Sequence, residues 1–185
     1  MRADAVRNRA KIVEAAKAAF GERGLETQME DVAKRACVGV GTLYRHFPTK
    51  DALVHALILD KFERMAEVAQ AALEGDDDPW EAFAGVLRAG AEQQAGDRAL
   101  VQVLAAQPQE TMRAVAEQET KLGERMAELL ARAQRAGVVR EDAEPDDVPL
   151  VMCGLAAVMQ SRRNWERYLQ LALDGFRAPG AKLPG

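Results

Sequence analysis

Apolar residues recur at spacings of three and four positions along almost the whole chain, and they nowhere alternate with polar residues between turn-forming residues. The first spacing puts apolar side chains on one face of an α-helix, whereas alternation would put them on one face of a strand. Hydrophobic residues make up 48% of the 185 positions, which excludes general disorder and supports a buried core. We therefore predict an all-α protein of about nine helices, with no strand.

The first two helices are delimited by local end signals. Helix one is predicted from about residue 4 to Arg23 and ends at Gly24, a residue that favours helix C-termini. Helix two is predicted to begin at Thr27. Its hydroxyl is expected to cap the helix while Glu30 reaches back three residues, as in a capping box.

A very short third helix follows a tight turn at residues 37–39. It is predicted over Val40 to about Phe47, because Pro48 disfavours helical backbone at the preceding residue. Short helices joined by a glycine-containing turn are typical of a helix-turn-helix, in which the second helix of the motif enters the major groove of DNA.

The third helix divides into two faces at about 100° per residue. The residues expected to pack inward are Val40, Leu43 and Phe47. Those expected to face outward or to lie on the flanks are Gly41, Thr42, Tyr44, Arg45 and His46. Thr42 can contact base edges, and Arg45 can pair with guanine through two hydrogen bonds. The outward face is thus suited to DNA.

Further residues have the chemistry to hold phosphates, which sets register on the duplex rather than sequence preference. Tyr44, His46 and Lys50 are three of them. The start of helix two, with Thr27 and Gln28, offers a fourth position because its free N–H groups favour anions. Two alternatives stay open: Tyr44 as a half-buried aromatic joining the helices, and His46 as a cation favoured by the helix C-terminus.

Charge is distributed unevenly along the chain, although its net value is −4. Residues 1–50 hold ten lysines and arginines against six acidic residues, whereas residues 51–185 hold fifteen against twenty-three. A basic segment on an acidic body is the pattern expected of a DNA-binding domain attached to a domain that does not contact phosphate.

Residues 38–50, preceded by Met29 to Ala33, resemble the DNA-binding signature of TetR-family regulators, and the resemblance covers roughly residues 8–55. It implies that six residues face DNA: Gln28, Gly41, Thr42, Tyr44, His46 and Lys50. The chain departs from the pattern at Cys37, where glycine is usual, so a left-handed backbone there would be strained. The loop before helix two is also one residue shorter than in many relatives.

The rest of the chain is predicted to be a helical body. The expected domains are a DNA-binding domain at 1–50, a ligand-binding and dimerisation domain at 51–178, and a flexible tail at 179–185. Thr49 is expected to cap a long fourth helix that ends near Gly75, and Asp78 a fifth that begins at Pro79. The remaining helices are predicted over residues 97–108, 109–137, 147–160 and 163–176.

The resemblance implies that the last two helices of each subunit form a four-helix bundle in a homodimer. The helix at 147–160 is apolar on nearly all sides and needs a cover. The expected interface residues are Leu150, Leu155, Val158, Trp165, Leu169 and Leu173. The alternative is that this helix is the buried centre of a monomer.

Helices four to seven surround the ligand cavity in the family that the chain resembles. The candidate effector-binding residues on them are Phe62, Met65, Phe83, Leu87, Leu104, Met112 and Met126. Few charged residues lie on these faces, so the expected effector is largely apolar. The alternative is that all seven are ordinary core.

An enzyme, a cofactor and a metal site are not expected. The two cysteines, Cys37 and Cys153, lack metal-ligand spacing, and no phosphate-binding glycine loop or nucleophile set is present. The N-terminus lacks a signal-peptide pattern and no apolar run is long enough to span a bilayer, so we expect a cytoplasmic protein without membrane contact.

The sequence therefore predicts a ligand-responsive repressor that binds a palindromic double-stranded DNA operator as a homodimer and is released by a small effector. The alternatives are a helical interaction protein and a corepressor-dependent regulator with no inducer.

Overall fold

The computed structural model describes residues 2–96, 103, 106, 108, 121–161 and 163–178, and within them the all-α prediction is confirmed. The helices are α1 (Arg2–Arg23), α2 (Met29–Arg35), α3 (Val40–His46), α4 (Lys50–Glu74), α5 (Pro79–Gly96), α6 (Leu122–Arg135), α7 (Asp147–Gln160) and α8 (Trp165–Phe176). Most of the helix predicted at 97–108 and the first part of the next one lie outside the described residues. No helix in the described ranges has the length and apolar content needed to cross a membrane.

The chain divides into two compact units, with one division within α4 between Lys61 and Phe62. We call residues 2–61 of the first unit the head. We call the described residues of the second unit, 62–96, 121–161 and 163–178, the body. The core of the head contains fully buried side chains from four helices, among them Ile12, Phe20, Val32, Leu43 and Leu57. Burying such side chains is the main favourable term in folding a domain of this size.

Two predicted helix starts are confirmed by their caps. The Thr49 side-chain oxygen accepts a hydrogen bond from the backbone N–H of Ala52 at 3.0 Å, at the start of α4. The Asp78 carboxylate accepts one from the N–H of Trp80 at 2.9 Å, and Pro79 opens α5. These contacts satisfy N–H groups that have no partner inside the helix.

The body packs α6, α7 and α8 around α5. Phe83 of α5 is completely buried and meets Phe176 of α8 edge-on, with ring centroids 5.4 Å apart. Gly154 of α7 lies against the hydroxyl of Tyr168, so that a side chain at this position would collide with α8. The small residue therefore serves packing inside one chain.

Hydrogen bonds organise the connector between α6 and α7, residues 136–146. The side-chain amide of Gln134 donates to the carbonyls of Arg140, Glu141 and Ala143 at 3.0, 3.3 and 2.9 Å. An isolated antiparallel bridge joins Val139 to Arg177, beyond the end of α8. Gln134 thus has a structural role, because its amide satisfies several carbonyl groups at once.

Candidate nucleic-acid interface

Ion pairs hold α1 and α2 together, and these two helices support α3. Arg23 pairs with Asp31 at 2.7 Å, and both terminal nitrogens of Arg35 contact the Glu22 carboxylate at 2.8 and 2.6 Å. The hydrogen bonds from Arg35 lower the pKa of Glu22 below its usual value. Both pairs lie at the surface, where such pairs orient helices more than they stabilise the fold.

The inward face of α3 is shorter than the sequence predicts. Leu43 and Phe47 are buried, at 0% and 3% exposure, as predicted. Val40 is 42% exposed, and its predicted inward position is wrong. Val40 opens a seven-residue helix directly after the turn, and within that helix Leu43 is the buried residue.

The outward face of α3 consists of side chains and backbone that are open to solvent. Tyr44 is 41% exposed, so part of its ring is open to a partner, and its alternative role as a partly buried aromatic between the helices stays open. Arg45 is exposed, and it has no ion pair or hydrogen bond to any residue that the structure describes. A free guanidinium on a short helix can form two parallel hydrogen bonds with the major-groove edge of guanine.

Neither the backbone conformation at Gly39 nor the space around Gly41 requires glycine at these two positions. Gly39 has an ordinary φ of −66°, and a Cβ added at Gly41 would meet nothing within 4 Å. Gly41 lies within α3 and still costs about 1 kcal/mol of helix propensity relative to alanine, whereas Gly39 is the N-cap, where glycine is tolerated. The open backbone at Gly41 leaves room for close approach by a partner from outside.

The residues predicted to contact phosphates differ in their exposure and in the contacts that they already make within the head. Gln28 is exposed as the N-cap of α2, and its amide donates to the Glu26 carbonyl at 3.1 Å. Lys50 is half-buried, with its ammonium 5.5 Å from the centre of the Phe20 ring. Thr42 and His46 are half-buried. Lys50 therefore also stabilises the head itself through a cation–π contact.

The role predicted for Thr27 is wrong. Thr27 is 1% exposed, and its hydroxyl lies 3.0 Å from the Ala19 carbonyl and 2.9 Å from the Gly24 carbonyl. The helix begins at Met29 with Gln28 as its N-cap, and no side chain caps it. The hydroxyl donates to α1 and its C-terminal turn instead of capping α2, so the Thr27 side chain is inaccessible to DNA and no capping box forms.

The turn before α3 is strained at Cys37, as its departure from glycine predicts. Cys37 has a φ of 55°, in the left-handed region. A residue with a Cβ pays roughly 1–2 kcal/mol for this conformation. We expect Cys37→Gly to raise the free energy of unfolding by about 1 kcal/mol, measured by urea denaturation, without loss of DNA binding.

The matched control is Cys37→Ala, which removes the thiol but keeps the Cβ in the same backbone conformation. It is expected to leave stability nearly unchanged. Equal gains from both variants would place the cost in the thiol and not in the backbone.

Residues 12–57 match the family described as "Bacterial regulatory proteins, tetR family", and residues 78–178 match the "Transcriptional regulator SbtR-like, C-terminal domain". The chain belongs to the TetR family. These two matches coincide with the head's helix-turn-helix and with most of the body, and they confirm the family resemblance.

Solved TetR-family proteins share the whole fold. The TetR regulatory protein from Mycobacterium vanbaalenii is 36% identical with a TM-score of 0.69, over 96% of this chain and 99% of that protein. The TetR regulator SCO0520 from Streptomyces coelicolor is 30% identical with a TM-score of 0.65, over 93% and 99%. The regulator UidR from Escherichia coli K12 is 36% identical over 76 residues, 40% of this chain and 39% of UidR. The chain thus spans well under half the length of the curated relatives it matches.

The effector-binding candidates of this TetR-family chain lie in the body, with two exceptions. Leu104 and Met112 lie outside the described residues. Phe62 is half-buried, and the others are core residues, namely Met65, Phe83, Leu87 and Met126. Met65 and Met126 carry flexible thioethers, which yield to a ligand more readily than branched side chains do. The four core residues lie in one apolar cluster, and the contact of the candidates with an effector stays a prediction.

Half of the predicted dimer contacts are wrong. Leu155, Leu169 and Leu173 are 0%, 6% and 1% exposed because they form part of the body's own core. Their side chains therefore cannot meet a second subunit. Val158 and Trp165 are half-buried, and Leu150 is 68% exposed.

The exposed apolar surface of α7 and α8 includes a residue that the sequence analysis missed. Leu171 of α8 is 61% exposed and lies outside the apolar stripe of its helix. On α7, Leu150, Cys153 and Ala157 are exposed at spacings of three and four residues and so share one face. The position of Leu171 outside the apolar stripe of α8 is the sequence feature that could have indicated this exposed surface.

Proposed function

We propose that this TetR-family protein is a ligand-responsive repressor, which binds a palindromic operator as a homodimer and is released by a small, largely apolar effector. The observation that carries the proposal is the free, outward guanidinium of Arg45 on α3, beside the open backbone of Gly41. Leu43 and Phe47 are buried on the opposite side and fix this orientation. α3 therefore presents a base-reading group on a rigid support.

The exposed apolar residues of α7 and α8 support the homodimer. Leu150 and Leu171, at 68% and 61% exposure, are large side chains that gain free energy when water is removed from them. A two-fold pair of chains would cover this surface and would present two α3 helices. Such a pair matches a palindrome with half-site centres about 34–36 Å apart, one turn of DNA.

The continuity of α4 supports release by an effector. α4 runs without interruption from Lys50 to Glu74 and carries residues of both units. An effector bound in the body would favour one arrangement of α4, and DNA bound to the head would favour another. The effector and the DNA then weaken each other's binding by the same coupling free energy, typically about 1–3 kcal/mol.

Selection of random DNA duplexes by the purified full chain, followed by sequencing of the bound pool, tests the proposal. We expect an enriched palindrome, and binding that weakens steeply as salt is raised because phosphate contacts release counterions. A pool without enrichment at low salt, with a folded dimer present, would contradict it. The interaction-protein alternative would then be favoured.

A further inference from the structure

Two methionine side chains meet the buried backbone of a glycine in the body. A Cβ added at Gly90 of α5 would lie 3.1 Å from the terminal methyl of Met152 and 3.4 Å from that of Met65. Met152 comes from α7 and Met65 from α4. Because both side chains are unbranched and flexible, the space beside Gly90 can be vacated without moving a helix.

Two buried amide oxygens lie on the same face of α5, one turn further along. Gln93 and Gln94 follow Gly90 by three and four residues, the spacing at which side chains share a helix face. The side-chain oxygens of both are inaccessible to water, and neither accepts a hydrogen bond from any residue that the structure describes. Gln94 as a whole is only 7% exposed.

An unsatisfied buried oxygen destabilises a protein, since the group loses its hydrogen bonds to water and gains none in return. Gln134, by comparison, is a glutamine of the body whose amide N–H groups donate to three carbonyls. Gln94 differs from it in having an acceptor without a donor, and it lies one helical turn along α5 from Gly90, where Met65 and Met152 meet the backbone.

We propose that the effector of this protein has an apolar body and a neutral hydrogen-bond donor, a hydroxyl or an N–H group, and that it donates to Gln94. Its apolar part lies beside Gly90, between Met65 and Met152, and Gln93 offers a second acceptor. An ionised carboxylate only accepts hydrogen bonds, so it cannot pair with the unpartnered oxygen of Gln94. The assignment rests on the effector response proposed above and adds the chemical class of the effector.

The first test needs no ligand and compares two glutamines. Gln94→Met keeps the length of the side chain and removes the unpartnered oxygen, so it is expected to raise the Tm of the free protein by roughly 2–8 °C. Gln134→Met, the matched control, removes a satisfied amide and is expected to lower the Tm. A Tm for Gln94→Met that falls as the control does would overturn the proposal, because it would give Gln94 a structural partner.

The second test uses pairs of an alcohol or phenol and an ether, in which only the hydroxyl compound carries a hydrogen-bond donor, with binding measured by calorimetry. The pairs are 1-naphthol with 1-methoxynaphthalene, and 1-octanol with heptyl methyl ether. We expect at least one hydroxyl compound to bind the wild-type protein about 10-fold or more tightly than its ether partner, and Gln94→Met to abolish that preference. No preference in either pair would overturn the assignment.

Operator release by the same probes separates this assignment from the proposed function. Release by ethers and alcohols alike, unchanged in Gln94→Met, would leave an effector-responsive repressor and overturn the role of Gln94. If the alcohol is preferred and the preference depends on Gln94, but the operator complex stays intact, the two proposals separate. This result would support the binding site at Gln94 and would contradict operator release by this class of effector.

Discussion

Replacing Arg45 by alanine is expected to weaken binding to the selected operator by about 1–3 kcal/mol and to relax the preference at one base pair of each half-site. Arg45 is exposed on α3 and makes no ion pair or hydrogen bond within the described part of the chain, so its removal leaves the head folded. Fluorescence anisotropy on the operator and on its single-base variants measures both effects. The Tm of the variant should equal that of the wild type.

Arg45→Lys is the control that separates base reading from charge. Lysine keeps the positive charge but cannot reproduce the planar two-bond contact with guanine. If Arg45 reads a base, Arg45→Lys loses the preference at that position nearly as fully as Arg45→Ala does. If Arg45 only neutralises a phosphate, Arg45→Lys retains both affinity and preference, and the base-reading role is wrong.

Lys50→Ala provides the opposite comparison. If Lys50 contacts a phosphate, Lys50→Ala is expected to weaken binding to all DNA sequences alike and to reduce the salt dependence of binding. Lys50 also lies over the Phe20 ring, so part of its effect is expected to appear as a lower Tm. Binding is therefore compared at a temperature where both variants are fully folded.

The parts of the fold that depend on neighbours in sequence were predictable. The caps of Thr49 and Asp78 and the end of α3 before Pro48 lie within three residues of the groups they act on. The left-handed backbone at Cys37 was expected from the resemblance to the TetR family, in which glycine is usual at this position. Local rules suffice where both partners of an interaction lie in one short segment.

Thr27 shows where local rules fail. Its position before a glutamate three residues on is the pattern of a capping box, but α1 brings the Ala19 carbonyl within 3.0 Å of its hydroxyl. This partner lies eight residues away in sequence and meets Thr27 only because the chain turns at Gly24. A tertiary contact thus takes the hydroxyl that the local pattern assigned to α2.

The body's sites were less predictable for a related reason. Periodicity marks the apolar stripe of a helix but does not say whether the same chain or a second copy covers it. Leu155 and Leu150 of α7 are both large and apolar, yet one is 0% and the other 68% exposed. The same holds for Gln94, since a sequence does not show whether a buried oxygen has a partner.

This contrast on α7 leads to the prediction with the largest effect on stability. Leu155→Ala removes a side chain at 0% exposure from the body's core and is expected to lower the free energy of unfolding by about 2–5 kcal/mol. The loss combines the burial of the missing methyl groups with the cavity left behind. Urea denaturation at fixed protein concentration measures it.

Leu150→Ser and Leu171→Ser, alone and combined, are the matched variants on the exposed side. Neither residue contributes to the core of a single chain, so far-UV circular dichroism should remain that of the wild type. If these residues form the dimer interface, the double variant sediments as a monomer and its unfolding midpoint no longer depends on protein concentration. It should also lose affinity for the full palindrome but not for a half-site, because each head keeps its own α3.

A double variant that remains dimeric would place the interface elsewhere on the chain. If Leu155→Ala loses the dimer while its helices stay folded, the assignment of Leu155 to the core is contradicted.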